Sequence, residues 1–366
     1  MHLTGGPQAM KILFVVPRHH PNHDGMVAGL LEAGHEVTFL VHEVSPEERH
    51  REGAQVILLP RTRRARFVLH HLRAHRPDVV VARNTGHVSY RTFLACRWLG
   101  IRYLLYVQFP DGYERLGLGR RLRLALGFWP RHTINSAASR PAREVSGKTF
   151  DFMPFAIELG PQKVEYSAGP PIRVLAVAKL AQGRKNLVPL VRHLAPLLRG
   201  GRIDLTVVGR RDREATTSYQ ALLDEIETQR VTGSVRLREH LPFEAMPGLY
   251  PDFDLFVLAS SAERAAISPV EAMAAGLPAV CGSDNGTNYF ILPGETGFVF
   301  PDGDFAAMAR IVERLAAGPA ELERLGRAAR RHIAENYAPA SYARRFEDLV
   351  ARRFGPAGQP GTSAAG

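Results

Sequence analysis

Cysteine is nearly absent from the sequence, which has only Cys96 and Cys281 among its 366 residues. Two cysteines exclude a disulfide framework and a zinc site built from several thiolates. Long apolar runs are missing as well, since no stretch approaches the roughly 20 apolar residues that a membrane-spanning helix needs. The opening segment MHLTGGPQAM lacks the apolar core and the cleavage site of a secretory signal. The sequence therefore predicts a cytoplasmic protein whose two thiols are buried as small apolar groups.

Lysine is scarce too, with five lysines beside 42 arginines. The formal net charge is +11, and residues 1–165, with 23 basic and 14 acidic side chains, carry +9 of it. Such an excess favours an anionic partner, and a membrane surface, a phosphorylated acceptor and a nucleic acid all remain open. The chain has no recognisable nucleic-acid module, so we expect no nucleic-acid partner.

Short apolar runs alternate with helical segments along most of the chain. Five such runs lie between residues 11 and 107, and the pattern restarts at residue 172. Continuous apolar strands separated by helices are typical of parallel sheets that are covered on both faces. We therefore expect an α/β protein with two Rossmann-like domains facing each other across a cleft, with ligands at the carboxyl ends of the strands.

Composition places the expected domain boundaries. Residues 1–160 would form the first Rossmann-like domain and residues 172–335 the second, joined by a Gly- and Pro-rich linker at 158–171. A C-terminal helix at 336–354 is expected to pack back toward the first domain. The low-complexity tail at 355–366 is expected to be disordered.

Two carboxylates eight positions apart mark the most informative motif. Glu263 follows the strand DLFVL, and Glu271 follows Pro269, a residue suited to the first turn of a helix. Carboxylates at a strand end can accept hydrogen bonds from sugar hydroxyls and from a ribose. The alternative interpretation is structural: Glu271 would complement the helix dipole and Glu263 would be solvated.

The Glu-x7-Glu motif followed by AMAAGLP (272–278) resembles the signature of retaining glycosyltransferases with the GT-B fold, family 4. Three further segments are similar to that family: VLAVAKLAQGRKNL (174–187), HLPFEAMPGLYPDFDLFVLASS (240–261) and SDNGTNYFILPGETGFVFPDGD (283–304). The similarity is dense over residues 172–335 and loose over residues 11–160. It implies that the second domain binds a nucleoside diphosphate sugar and that the first binds an acceptor.

The resemblance implies catalytic roles for Glu263, Lys185 and Lys179. The two lysines would grip the diphosphate, with Arg184 competing for the second position, and Glu263 would hold the transferred sugar's hydroxyls. Breaking a glycosyl–phosphate bond leaves a dianionic diphosphate, which preorganised cations stabilise. The alternative is that both lysines are solvated loop charges.

Substrate-binding roles are implied at further positions. Glu271 would bind the ribose, while Gly286, Thr287 and Asn288 would contact the diphosphate or the sugar through a glycine-containing loop and a helix start. In the first domain, Gly25 would lie in a loop that reaches the donor phosphates and the acceptor.

One position departs from the family pattern. Many members have a histidine at the end of the fifth strand, where this chain has Gln108. Glutamine can hydrogen-bond a sugar hydroxyl but cannot shuttle a proton, and Asp111 or His87 would have to compensate. A retaining mechanism in which the departing phosphate takes the acceptor proton depends less on this group.

Two patterns that suggest a metal are weak here. His19, His20 and His23 lie on an irregular stretch without the i, i+4 spacing of a helical site. Asp252-Phe-Asp254 resembles the metal motif of other glycosyltransferases, but Asp254 opens what looks like an ordinary core strand. We therefore expect neither a metal nor a cofactor besides the donor substrate.

The segment 115–131, RLGLGRRLRLALGFWPR, interleaves arginines with leucines and aromatic residues. Such a segment can lie on an anionic membrane. It can equally bury its leucines in the domain core with its arginines solvated, and the sequence leaves both interpretations open.

Taken with the resemblance, the sequence predicts a metal-independent retaining hexosyltransferase. It would transfer a sugar from a nucleoside diphosphate sugar to a glycan, a lipid-linked or a small-molecule acceptor, in the cytoplasm or peripherally at the inner face of the membrane. The alternatives are an epimerase or inverting transferase on the same fold, and a catalytically silent sugar-nucleotide binder, which Gln108 would permit.

Overall fold

The protein is described from a computed structural model. The described residues are 9–44, 52–60, 64–83, 87–108, 118–136, 150–211, 216–239 and 241–355. Asp111 and all but the first residue of the tail at 355–366 lie outside them. The chain divides into two compact units: unit 1 comprises residues 1–158 and 337–366, and unit 2 comprises residues 159–336.

Unit 1 is built on a seven-stranded parallel sheet with the order β3-β2-β1-β4-β5-β6-β7. Its strands are β1 (Lys11–Arg18), β2 (Glu36–Glu43), β3 (Gln55–Leu58), β4 (Val79–Arg83), β5 (Arg102–Val107), β6 (Thr133–Asn135) and β7 (Phe150–Phe152). Its described helices are α1 (Asp24–Glu32), α2 (Arg64–His75), α3 (His87–Leu99), α4 (Leu118–Ala125) and the C-terminal helix α11 (Pro339–Phe354).

Burial on both faces explains the central strands of this sheet. Residues Ile12–Val16 of β1 are all buried, which requires helices on both sides of a parallel strand. The sequence predicts the first five strands but misses β6 and β7. Both strands have only three residues and include the polar Asn135 and Asp151, so they lack a strand pattern.

Helix α11 completes unit 1. Gly29 of α1 allows the backbone of Pro339 to approach so closely that an added Cβ would overlap its carbonyl oxygen. Further along α11, Nε2 of His35 lies 3.0 Å from Oε1 of Glu347. The chain thus returns to unit 1 after it has built unit 2.

Unit 2 contains a six-stranded parallel sheet with the order β10-β9-β8-β11-β12-β13. Its strands are β8 (Ile172–Val177), β9 (Ile203–Gly209), β10 (Val235–Glu239), β11 (Leu255–Leu258), β12 (Ala279–Gly282) and β13 (Gly297–Phe300). Its described helices are α5 (Leu187–Arg199), α6 (Thr216–Thr228), α7 (Met246–Leu249), α8 (Ser268–Ala275), α9 (Phe305–Ala317) and α10 (Pro319–Asn336). Two parallel sheets with flanking helices confirm the expected α/β class with two Rossmann-like domains.

The segment interpreted as a linker packs on unit 2. Lys163 is 1% exposed, its Nζ lies 3.0 Å from Oδ1 of Asp254, and Arg173 and Ser167 also donate to this carboxylate. Burial alone would raise the pKa of Asp254, but these hydrogen bonds hold it well below its usual value. Both carboxylate oxygens of Asp254, the second acidic residue of the Asp252-Phe-Asp254 motif, therefore form internal ion pairs.

Helix α4 has an apolar surface that contacts water. Leu118, Leu122 and Leu126 recur every four residues and are 86%, 61% and 58% exposed. The interpretation that buries the leucines of 115–131 in the core is therefore wrong for these three, while Leu124 is half-buried and Leu116 lies outside the described residues. Within the described residues, no helix combines the length and apolarity that crossing a bilayer requires.

Candidate functional site

The sheet of unit 2 reverses its strand order between β8 and β11, which are hydrogen-bonded neighbours. Ligands of open α/β sheets bind outside the carboxyl ends of the strands at such a point. The loop after β8 contains Lys179, Arg184 and Lys185, and the loop after β11 contains Glu263. The topology alone therefore brings the predicted catalytic residues to one edge of the sheet.

Asn186 fastens the first of these loops to the second. Its backbone has a left-handed φ of 52°, and its Nδ2 donates to the Ala259 carbonyl and to Oγ of Ser261, each at 2.9 Å. The amide of Ser261 in turn donates to the carbonyl of Arg184 at 3.0 Å. These bonds fix the position of the basic loop relative to β11.

Lys185 and Arg184 both pair with Glu263. Nζ of Lys185 donates to Oε1 of Glu263, and Nη1 of Arg184 lies 3.0 Å from the same oxygen. Glu263 and Lys185 have 9% and 11% exposed side chains, whereas that of Arg184 is 46% exposed. Arg184 and Lys185 therefore both contact the same carboxylate, and Lys185 is the more buried of the two.

The three cations of the basic loop act on one another through their charges. Burial lowers the pKa of Lys185, its hydrogen bond to Glu263 opposes that shift, and the charges of Arg184 and Lys179 add to it. Lys179 is exposed but close enough to act on Lys185 through its charge. Near Glu263, the carboxylates of Asp302 and Asp284 accept hydrogen bonds from Ser261 and from the amide of Ala262.

The glycine-containing loop after β12 holds the Glu263 loop in place. The amide of Gly286 donates to the carbonyl of Glu263 at 2.8 Å, and the hydroxyl of Thr287 donates to the carbonyl of Ala266 at 2.7 Å. The amides of Thr287 and Asn288 bond to Asn285. The structure therefore gives Gly286, Thr287 and Asn288 internal partners, and their direct contact with a donor stays a prediction.

Glu271 lies in the first turn of α8, where Oε2 accepts a hydrogen bond of 2.5 Å from the hydroxyl of Tyr250. Desolvation raises the pKa of Glu271, and the bond from Tyr250 counteracts part of that rise. Tyr250 is 1% exposed, so this bond also holds the carboxylate in one position.

Unit 1 has its own reversal of strand order, between β1 and β4. Beyond β1, His19 and His23 are buried at 1% exposure each, and their rings pack on Phe39. Burial and the charges of Arg18 and Arg83 lower the pKa of His20 to about 4, and burial lowers that of His23 further below its usual value. At neutral pH the imidazoles of His20 and His23 are therefore uncharged.

Gln108 and Gly25 both have close internal contacts at this edge. Nε2 of Gln108 donates to the hydroxyl of Tyr106 at 2.7 Å. Gly25 lies inside α1, where an added Cβ would overlap the carbonyl oxygen of Ala156. Close backbone packing therefore requires glycine at position 25, and its contact with a substrate stays a prediction. His87 begins α3 and is exposed.

Sequence reasoning missed three residues that shape the site of unit 2: Asn186, Tyr250 and Asn285. The Asn-Gly pair at 285–286 is a turn signal that was available in the sequence. Asn186 follows the basic pair directly, where a left-handed residue is needed to enter α5. Tyr250 carries no local signal.

Among the described residues, no group of three or more His, Cys, Asp or Glu side chains is arranged to hold a metal ion.

Comparison with known proteins identifies the domain that carries this site. Residues 171–317 match the family described as Glycosyl transferases group 1. The amylovoran biosynthesis glycosyltransferase AmsK of Erwinia amylovora is 26% identical over 247 residues, which are 66% of this chain and 58% of AmsK. The GDP-mannose-dependent alpha-mannosyltransferase of Mycolicibacterium smegmatis is 24% identical over 360 residues, covering 88% of this chain and 92% of that protein.

Solved structures confirm the fold over most of the chain. A glycosyltransferase from Rickettsia africae superposes with a TM-score of 0.77 at 14% identity, covering 94% of this chain and 98% of that one. Anabaena Alr3699/HepE in complex with UDP and glucose gives 0.72 at 15% identity, covering 94% and 100%. The chain therefore has the GT-B fold, and its residues 171–317 match the group 1 glycosyltransferases.

Proposed function

We propose that the protein is a family 4 retaining glycosyltransferase that moves a hexosyl group from a nucleoside diphosphate sugar to an acceptor hydroxyl without a metal ion. The observation that carries this proposal is the convergence of Lys185 and Arg184 on Glu263 where the sheet of unit 2 reverses its strand order. The similarity of the chain to a protein that binds UDP and glucose supports a sugar-nucleotide donor.

The cations would act on the leaving group. In the absence of a donor, the ammonium of Lys185 and the carboxylate of Glu263 neutralise each other in a mostly buried position. A diphosphate would replace Glu263 as the partner of Lys185, with Arg184 and Lys179 beside it. One such preorganised contact is worth roughly 3 kcal/mol at a transition state, because it is aimed at charge that develops during bond breaking.

The two glutamates would then orient the donor. Once the lysine bonds to phosphate, Glu263 accepts hydrogen bonds from hydroxyls of the transferred sugar. Glu271 accepts them from the ribose, and the hydroxyl of Tyr250 holds this carboxylate in position and counteracts part of the rise in its pKa. The departing phosphate takes the acceptor proton, so Gln108 is not required as a base.

Unit 1 would bind the acceptor at the carboxyl edge of its sheet. The neutral imidazole of His20 and the amide of Gln108 offer hydrogen bonds to hydroxyl groups there. The acceptor is a hydroxyl of a glycan, of a lipid-linked saccharide or of a small molecule.

The donor is tested by thermal stabilisation with a panel of UDP-, GDP- and ADP-sugars. A ligand at a hundred times its dissociation constant stabilises by about 2.7 kcal/mol, so the correct nucleotide raises Tm clearly above the others. The matched control is Arg310→Ala, an exposed arginine on α9, which should respond like the unaltered protein. Stabilisation by none of the sugars would contradict the proposal.

The reaction is tested by NMR of the product formed with the stabilising donor. Retention predicts that the new glycosidic bond has the anomeric configuration of the donor. A product of inverted configuration would indicate the inverting alternative. Binding without turnover against a broad acceptor panel would indicate a silent binder.

We further propose that α4 places the protein on an anionic membrane surface. Its exposed leucines would enter the interface, and the exposed Arg123 together with the basic charge of unit 1 would attract acidic headgroups. This position is peripheral and cytoplasmic.

Vesicle co-sedimentation tests this placement. Binding should require phosphatidylglycerol in phosphatidylcholine vesicles, weaken with salt and fall in Leu122→Ser. Leu159→Ser removes an exposed leucine of unit 2 and should leave binding unchanged. Equal binding to pure phosphatidylcholine, or equal loss in both variants, would refute the placement.

A further inference from the structure

A cavity of about 460 Å³ lies in unit 1 at the amino ends of the strands. Asp78 directly precedes β4, Arg102 is the first residue of β5, and Phe354 is the last residue of α11, and all three line it. It therefore opens at the edge of the sheet opposite to His19, His20, His23 and Gln108, which follow the carboxyl ends of β1 and β5. Its volume falls within the range of small-molecule sites.

The floor of this cavity is apolar. Phe93 and Tyr103 are buried and lie edge to face with ring centroids 5.3 Å apart, while the hydroxyl of Tyr103 is turned to the carbonyl of Ser89. Trp129 and Phe354 add half-buried aromatic surface to the walls. Such a floor favours an apolar ligand body.

The rim is cationic. Arg97, Arg102 and Arg131 line the cavity, against a single carboxylate, Asp78, whose Oδ2 already accepts the amide of Lys11 at 2.7 Å. The guanidinium of Arg97 lies over Gly127, since a Cβ added there would be 3.2 Å from its Nη2. Three guanidinium groups around one opening match the planar, multidentate recognition of a phosphate.

The same chain segment joins this cavity to the apolar surface of α4. Gly127 and Trp129 line the cavity, and Leu126 and Phe128, which alternate with them, are 58% and 52% exposed. An amphiphile whose chains contact the exposed residues would thus place its headgroup at the arginine rim.

We propose that this cavity binds a phosphate-bearing lipid, with the phosphate on Arg97, Arg102 and Arg131 and the first part of its chains on the aromatic floor. The site is separate from the donor site in unit 2 and from the carboxyl edge of the sheet in unit 1. Membrane attachment would then depend on a specific phosphate headgroup as well as on the general attraction of basic side chains to acidic lipids.

Tryptophan fluorescence provides a direct test, because Trp98 and Trp129 are the only tryptophans of the chain. In a Trp98→Phe background, Trp129 alone reports on the cavity. The probe is dihexanoyl phosphatidic acid below its micelle concentration, compared with glycerol phosphate, which lacks the chains, and dihexanoylglycerol, which lacks the phosphate. We expect saturable binding of the phosphatidic acid, at least about tenfold tighter than either fragment.

Matched arginine variants locate the binding. Arg97→Gln combined with Arg131→Gln should weaken binding about tenfold or more, whereas Arg91→Gln, an exposed arginine of α3 outside the cavity, should have no effect. Equal affinity for either fragment, no saturable change, or equal loss in the Arg91 variant would overturn the proposal. The titration uses monomeric lipid and no donor, so its failure leaves the proposed sugar transfer untouched.

Discussion

The two points of reversed strand order have the same topology and opposite chemistry. In unit 2, the loops after β8 and β11 carry Lys185, Arg184 and Glu263, which are charged and paired with one another. In unit 1, the residues after β1 include His20 and His23, which burial keeps neutral at pH 7. Under the proposed function, the charged edge of unit 2 would receive the diphosphate and the neutral edge of unit 1 a hydroxyl compound.

The largest expected effect comes from the charged edge. Lys185→Ala should lower kcat by about 10²–10³-fold, because the lost contact acts on charge that develops in the transition state. Steady-state kinetics with the stabilising donor measures this, and circular dichroism checks that the fold is intact.

Lys179→Ala is the matched variant from the same loop. Since Lys179 is exposed and Lys185 is mostly buried, its effect should be clearly smaller. A Lys185→Ala enzyme with full activity would remove the role assigned to the charged edge.

The next effect tests the glycines that shape each edge. Gly25→Ala in unit 1 and Gly209→Ala in unit 2 would each push a Cβ into a backbone carbonyl, that of Ala156 and Ala178 respectively. We expect each to lower the free energy of unfolding by about 1–3 kcal/mol. Gly119→Ala, where nothing lies within 4 Å, should be neutral or stabilising.

Urea denaturation separates the two glycines. Both tryptophans belong to unit 1, so fluorescence follows that unit while far-UV circular dichroism follows both. Gly25→Ala should shift the fluorescence transition. An equal fluorescence shift in Gly209→Ala would mean that the units unfold together.

A third effect distinguishes the edges by pH. His20 is neutral in the folded protein down to about pH 4, whereas an unfolded histidine takes up its proton near 6.5. The unfolded chain therefore binds more protons between these values, and unit 1 should lose on the order of 2 kcal/mol as the pH falls from 6.5 to 4. Asp254 in unit 2 has a depressed pKa, so its contribution should be lost only as the pH falls below about 4.

Fluorescence-monitored denaturation across this range measures the first window. His20→Gln should flatten the pH dependence of unit 1. In unit 2, His332 is the one described histidine whose pKa is lowered, so a smaller change is expected there. A steeper loss of stability with falling pH in unit 2 than in unit 1 would contradict the expected difference between the two units.

The smallest effect concerns Tyr250. Tyr250→Phe removes the hydrogen bond to Glu271 and lets the pKa of that carboxyl rise further. We expect a several-fold higher KM for the donor, growing as the pH is lowered, with a similar kcat. An unchanged KM would mean that Glu271 does not contact the donor.

The sequence predicts most of the fold because its signal is local. Strands such as β1 and β8 are continuous apolar runs, and the turns between them carry glycine and proline. Strand β6 and the edge strand β7 escape prediction because three residues, one of them polar, are too few to show a period. The segment around Lys163 escapes it because its order depends on Asp254, which lies 91 positions away in the chain.

The candidate site divides in the same way. The motif residues Glu263, Glu271 and Lys185 are predicted because they belong to short segments that resemble the family pattern, which is a local signal. The supporting contacts are not, since Tyr250 reaches Glu271 and Asn186 reaches Ser261 only after the sheet has formed. Gly25 adds a packing requirement that the sequence did not predict, and its contact with a ligand stays a prediction.

The return of α11 to unit 1 governs the order of events during translation. Unit 2 is complete in sequence once Asn336 has been made, but unit 1 lacks its partner for α1 until the last helix leaves the ribosome. Synthesis thus finishes the middle of the protein before its beginning. A chain shortened after residue 336 would therefore hold all of unit 2 together with an α1 that lacks its covering helix, which is the kind of surface that chaperones bind.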